Sequence, residues 1–147
     1  MFCDCDGLTI APELRATTLE NYCYDAMFSN CDGLISAPKL PATTLKNGCY
    51  QYMFALCTSL KIVPELPAST LVTDCYVFMF NGCTSLKYIK CLATNGYTYN
   101  GAYTKNWVQN VPTGGTFVRA SNSNWDANTV GFDAIPIGWT IIDATDN

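Results

Sequence analysis

The 147-residue chain carries eight Lys and Arg against twelve Asp and Glu, no His, and a net charge of -4. No basic run offers the cationic footprint that a nucleic-acid partner needs, and no apolar stretch approaches the roughly 20 residues of a membrane-spanning helix. No leader of secretory type precedes Phe2. The length suits one folding unit able to bury a core, with neither nucleic acid nor membrane insertion expected.

Met1, Met27, Met53 and Met79 follow one another at a step of 26 residues, and each precedes a phenylalanine: Phe2, Phe28, Phe54 and Phe80. Cys5, Cys31, Cys57 and Cys83 keep the same step, as do Cys23, Cys49 and Cys75, and Leu8, Leu34, Leu60 and Leu86. Self-similarity of this length marks a chain whose units stack. Because Met1 already occupies a repeat position, the array is expected to begin with an uncapped end, open to self-association.

One unit reads LISAPKLPATTLKNGCYQYMFALCTS from Leu34. Pro38, Pro41, Pro64 and Pro67 remove backbone donors and hold the preceding residues out of the helical region, so no helix crosses that stretch. A strand of about three residues running into a polyproline-like bend is expected instead. Thr43 and Thr44 then offer side-chain oxygens to the first amides of a helix. At about 100° per residue, Leu45, Cys49, Tyr50, Met53, Phe54 and Cys57 fall within one half of its wheel. Gly33 and Ser59 stand where that helix should end.

After Leu92 the register fails. Lys90 replaces the proline, and residues 96–101, GYTYNG, form a Tyr- and Gly-rich loop. A helical turn or two is expected over 104–111, carrying Trp107, and strands over 115–119 and 139–142, with Trp125 in a Ser/Asn-rich loop between them. The expected division is 1–93 as about three and a half repeats, an array expected to be cut short at its N-terminal end, and 94–147 as a capping segment. The fold class is an α/β repeat: a leucine-rich-repeat solenoid of short strand, Pro-rich bend and helix, closed by a small β-rich C-terminal cap.

The pattern MFxxCxxLxxxPxLPATTLxxxCYxx resembles the BspA-like leucine-rich repeats of bacterial surface proteins, in the 26-residue form common in gut Bacteroidetes. Met53-Phe54-x-x-Cys57-x-x-Leu60 matches the Ala-Phe-x-x-Cys-x-x-Leu core of that family. The tail resembles the closing segment of such proteins at Trp107, Val111, Gly115-Thr116-Phe117-Val118 and Gly138-Trp139-Thr140. The resemblance implies a secreted or cell-surface protein used in adhesion or host contact, and brings no catalytic motif. Phage structural proteins of the same habitat carry similar repeats, which leaves a virion-associated receptor-binding role as an alternative.

Nine cysteines invite disulfides, metal or packing. Cys23 and Cys31, or Cys49 and Cys57, lie eight residues apart on the expected helix, about 12 Å of rise, beyond the roughly 7 Å a disulfide spans. With no His and no C-x-x-C, zinc sites of the usual kind fail, and no metal or cofactor is expected. The remaining reading makes Cys5, Cys23, Cys31, Cys49, Cys57, Cys75 and Cys83, with Met27, Met53, Met79, Phe28, Phe54 and Phe80, ladders of stacked apolar side chains. Cys3 and Cys91 lie outside both columns and are expected to be the reactive thiols.

Asp4-x-Asp6-Gly7 and Asn30-x-Asp32-Gly33 faintly suggest calcium loops but lack the downstream Glu. Glu13, Lys39 and Glu65 alternate in sign at one repeat position, as in a surface ladder. Without His the common nucleophilic triads are impossible, and Asp126 and Asp133 are ordinary loop carboxylates, so no enzyme activity is expected. Tyr97, Tyr99, Tyr103 and Trp125 are the candidate partner-binding residues, because Tyr and Trp dominate binding hot spots; Trp125, set among Ser and Asn, is expected to be the most exposed. The expected function is a non-catalytic, surface-displayed module that contacts a host or bacterial surface protein or a glycan. The alternative is a purely structural spacer.

Overall fold

The structure, a computed structural model, describes residues 1–98 and 100–145. It contains three short strands, β1 (Tyr88–Cys91), β2 (Thr116–Arg119) and β3 (Thr140–Asp143), in one open parallel sheet of order β1-β2-β3. Ile89, Phe117 and Ile141 are register partners on the covered face, and Tyr88, Thr116 and Thr140 on the outer one. This alternation is the two-residue period of a strand with one face buried.

The sheet starts at β1 for a reason visible in the sequence. Leu66 makes a single bridge to Cys91 of β1, and among themselves the upstream residues make only isolated parallel bridges, Ile10 to Ser36 and Ser36 to Ile62. Pro12, Pro38 and Pro64 stand two residues beyond each bridging residue and cannot donate to a ladder. At the equivalent position Lys90 has its amide, and the bridge lengthens into a four-residue strand.

No helix occurs among the described residues, and this overturns the expected α/β leucine-rich-repeat solenoid and the resemblance to BspA-like repeats, both of which require a helix in every unit. The stretch expected to be helical is a run of overlapping β-turns. Cys49, Gln51, Met53, Ala55 and Cys57 donate their amides three residues back, to Lys46, Gly48, Tyr50, Tyr52 and Phe54, whereas an α-helix would bond four back. The alternate amides of Gly48, Tyr50, Tyr52, Phe54 and Leu56 leave their own segment and donate to the carbonyls of Thr73, Cys75, Val77, Met79 and Asn81. Every backbone donor of 48–57 is therefore satisfied, half within a layer of chain and half in the next.

This arrangement requires φ > 0 at every fourth residue. Gly48, Tyr52 and Leu56 show it in one layer, Asp74, Phe78 and Gly82 in the next, and Asn106 and Asn110 further on. Gly, Asn and Asp tolerate that conformation, whereas at Tyr52, Leu56 and Phe78 it costs about 1–2 kcal/mol per residue, offset by the bonds between layers. The turn run also replaces the helical turn expected over 104–111: Asp74, Tyr76, Phe78, Phe80 and Gly82 donate to Ala102, Tyr103, Lys105, Trp107 and Gln109.

Side chains stack in the same register. Phe2, Phe28, Phe54 and Phe80 lie ring over ring with centroids 5.7, 5.7 and 6.0 Å apart, and Tyr24, Tyr50, Tyr76 and Trp107 form a second column. Trp107 also meets Trp125 at 5.5 Å and Phe117 edge-on at 6.2 Å, which joins the columns to the sheet. At Gly96, any Cβ would fall 1.9 Å from the Trp125 ring, so only glycine lets the chain pass over that indole.

Candidate binding surface

All nine cysteines are free thiols. Cys31, Cys49, Cys57, Cys75 and Cys83 are buried with Met53, Met79, Phe28, Phe54 and Phe80, while Cys5 and Met27 are half-buried and Cys23 is exposed at the open first layer. One cysteine column has a polar bond that its spacing did not reveal. The Sγ of Cys31, Cys57 and Cys83 donates to the carbonyls of Phe2, Phe28 and Phe54, at 2.9, 3.0 and 3.1 Å. Burial pushes the Cys49 thiol up to about 11 and that of Cys57 up to about 12.

The two cysteines expected to be reactive separate. Cys3 is exposed; desolvation first, and then the hydrogen-bonded Asp4 carboxylate, raises its thiol. Cys91 is fully buried in β1 and pushed up to about 12 by that burial, so it is inert rather than reactive.

Of the partner-binding candidates, Tyr97 and Tyr103 are half-buried and packed on the core, and Tyr99 lies outside the described residues. Trp125 is fully buried between Trp107 and Phe117 and corrects the expectation of an exposed ring. Its polar neighbourhood misled because those neighbours bond the backbone: Asn124 caps Tyr97 in both directions, Nδ2 donating to the carbonyl and Oδ1 accepting from the amide. The expected charge ladder is also replaced. Glu13 pairs with Arg15 and Glu65 with Lys90, both at 2.7 Å.

The exposed apolar side chains of the tail lie outside the expected set of tyrosines and Trp125. Phe132 and Val130, 51% and 49% exposed, flank Gly131. With Tyr97, Thr98, Asn106 and Asp133 they line an open cleft of about 260 Å³. Asp133 is held there by the Asn106 amide, and its own carbonyl accepts from the Thr104 hydroxyl at 2.7 Å. The cleft thus combines aromatic surface with a carboxylate, an amide and a hydroxyl on an anchored backbone. The sequence signal was an apolar pair around a glycine inside a polar loop.

Asp126, the other loop carboxylate, accepts from the Asn128 amide. The supposed calcium loops are tied between layers, Asn30 Nδ2 to Asp4 and Thr58 Oγ1 to Asp32. Among the described residues no three His, Cys, Asp or Glu side chains converge as a metal site, and no helix is long and apolar enough to cross a membrane. Comparison with protein families, with characterised proteins and with solved structures finds no match.

Proposed function

We propose that the chain is a non-catalytic binding or adhesion module, displayed outside the cell, that contacts a surface protein or a glycan through the cleft between Tyr97 and Phe132. The observation that carries this reading is the pairing of exposed aromatic and apolar surface with Asp133, Asn106 and Thr98 at one anchored place. A sugar ring presents C–H groups that lie on an aromatic face and hydroxyls that bond planar carboxylates and amides. A peptide loop would use the same groups. No cofactor or metal enters this reading.

A second reading, a structural spacer or virion-associated component, is favoured by the unbroken stack from Phe2 to Phe80. Screening the whole chain against glycan and protein arrays, beside Phe132→Ala and Tyr97→Ala, separates the two. Binding that falls at least tenfold in both variants supports the cleft; absence of any ligand, or a ligand indifferent to both changes, supports the spacer.

A further inference from the structure

A second concave surface lies in the middle of the stack, with described chain bridged on either side of it, Ile10 to Ser36 and Leu66 to Cys91. It is an open groove of about 330 Å³, lined by Lys39, Leu40 and Pro41 from one layer and by Pro64, Glu65 and Pro67 from the next. Leu40 is buried, Pro41 is exposed, and Pro64 and Pro67 are half-buried.

The prolines of the rim are not required by the bend that follows them. Bends form at 43–44 after Pro41 and at 69–70 after Pro67, but one forms equally at 17–18, where Arg15 holds the place of Pro41. Another forms at 94–95, where Leu92 follows the Cys91 that bridges Leu66 and so stands beside Pro67. The paired prolines therefore occur at this one step of the stack, and their rings contribute surface rather than a turn.

The charges at the same place are unequal. Glu13 pairs with Arg15 and Glu65 with Lys90, both at 2.7 Å. Lys39, exposed between those two glutamates in the repeat, pairs with no carboxylate of any described residue. The groove thus offers one uncommitted ammonium and the C–H surfaces of three prolines, its own carboxylate is engaged elsewhere, and no aromatic ring lines it.

These free groups are electropositive, and what complements them is the negative face of an aromatic ring. An ammonium set over such a face is attracted to it, most strongly for indole, and proline C–H groups pack on it in the same sense. A sugar has no such face. Its C–H groups seek aromatic rings, so a sugar suits the cleft of Tyr97 and Phe132 and finds no counterpart here. The geometry points to this groove as a docking site for a tryptophan side chain of a protein partner, its ring laid over Pro41, Pro64 and Pro67 with the Lys39 ammonium against it. Tryptophan is also among the residues on which protein interfaces concentrate their binding energy.

The test titrates the whole ¹⁵N-labelled chain with N-acetyl-tryptophanamide, N-acetyl-leucinamide and methyl β-glucoside and follows the amide resonances of Lys39, Leu40, Glu65 and Leu66. The tryptophan probe should shift these four saturably and bind about fivefold more tightly than the leucine probe, while the glucoside leaves them in place. Lys39→Gln and Pro67→Ala should each remove most of that preference; Lys39 is exposed, so its variant keeps the fold and the test stands on it alone if the proline variant does not. Equal affinity for the leucine probe, shifts confined to the residues around Phe132, displacement of the same amides by the glucoside, or a preference indifferent to Lys39→Gln overturns the proposal. So does an affinity for the tryptophan probe that falls as the protein concentration rises, which would mean that a second copy's own ring fills the groove.

Discussion

The thiol of Cys57 donates a hydrogen bond of 3.0 Å to the carbonyl oxygen of Phe28, one layer away and 29 residues earlier. That carbonyl already accepts the amide of Cys31, so the sulfur uses its second lone pair. A small apolar residue able to donate is required at that point, and cysteine is the one that fits without overfilling the space. Replacing Cys57 by Ala should cost about 1–2 kcal/mol, from the lost bond and the void left by the sulfur. The same change at Cys5, half-buried at the open layer, should stay within about 0.5 kcal/mol. Urea denaturation of both variants checks the contrast, and equal losses would mean that the bond to Phe28 contributes nothing.

Thiol accessibility follows the same layers. In the folded chain Cys3 and Cys23 should react with an aromatic disulfide reagent within the mixing time and Cys5 more slowly, with the six buried thiols protected until unfolding. Denaturant without reductant should release all nine. Cys91 reacting in the native state as fast as Cys3 would contradict its burial in β1.

Gly48 combines φ = +60° with the Tyr22 ring directly over its α-carbon, where an added Cβ would sit 2.2 Å from the ring. Gly48→Ala should therefore lose about 1–3 kcal/mol, part from the left-handed backbone and part from displacing the ring. In the background of Tyr22→Ala only the backbone part should remain. A double-mutant cycle that shows strict additivity would remove Tyr22 from the account.

High pH should destabilise the fold. Burial raises the Cys49 and Cys57 thiols from 9.0 to about 11 and about 12, and pushes Cys75, Cys83, Tyr50 and Tyr76 upward as well. These groups are neutral when protonated, so below pH 9 folded and unfolded chains bind the same protons and stability is full. Between pH 9 and about 12 the unfolded thiols ionise while the folded ones do not, and stability falls as pH rises. The melting temperature should hold from pH 7 to 8.5 and drop steeply above pH 9.5; a flat profile to pH 11 would show that the columns are open to solvent.

The periodicity was legible and its conformation was not. Cys49, Tyr50, Met53, Phe54 and Cys57 face the core, the side that a helical wheel also assigns to them. A turn run repeats every four residues and drifts only about 40° per step against a helix, so three steps still fall within one half of the wheel. The distinguishing signal was a residue tolerant of the left-handed region at every fourth place: Asn30, Gly48, Asp74, Gly82, Asn106 and Asn110. Tyr52, Leu56 and Phe78 occupy the same places and hid it.

Proline did carry through. Its donor-less positions at Pro38 and Pro64 keep the upstream bridges isolated, and Lys90 releases β1. The strands expected over 115–119 and 139–142 are observed as β2 and β3. Trp125 was misplaced because a polar neighbourhood in sequence says little when the Asn124 side chain bonds the Tyr97 backbone and the Ser123 hydroxyl is itself buried. The cleft at Phe132 stayed hidden because Tyr97 and Phe132 are brought together only by the stacking of 131–135 beneath 101–111.

Far-UV circular dichroism of the intact chain tests the central claim, that residues 46–57 and their counterparts are stacked β-turns. A leucine-rich repeat with one helix of about three turns per unit would show the double minimum of a helical protein. The stacked-turn structure predicts a weak spectrum without that signature, lost cooperatively on heating. A helical double minimum that melts in the same transition would contradict it.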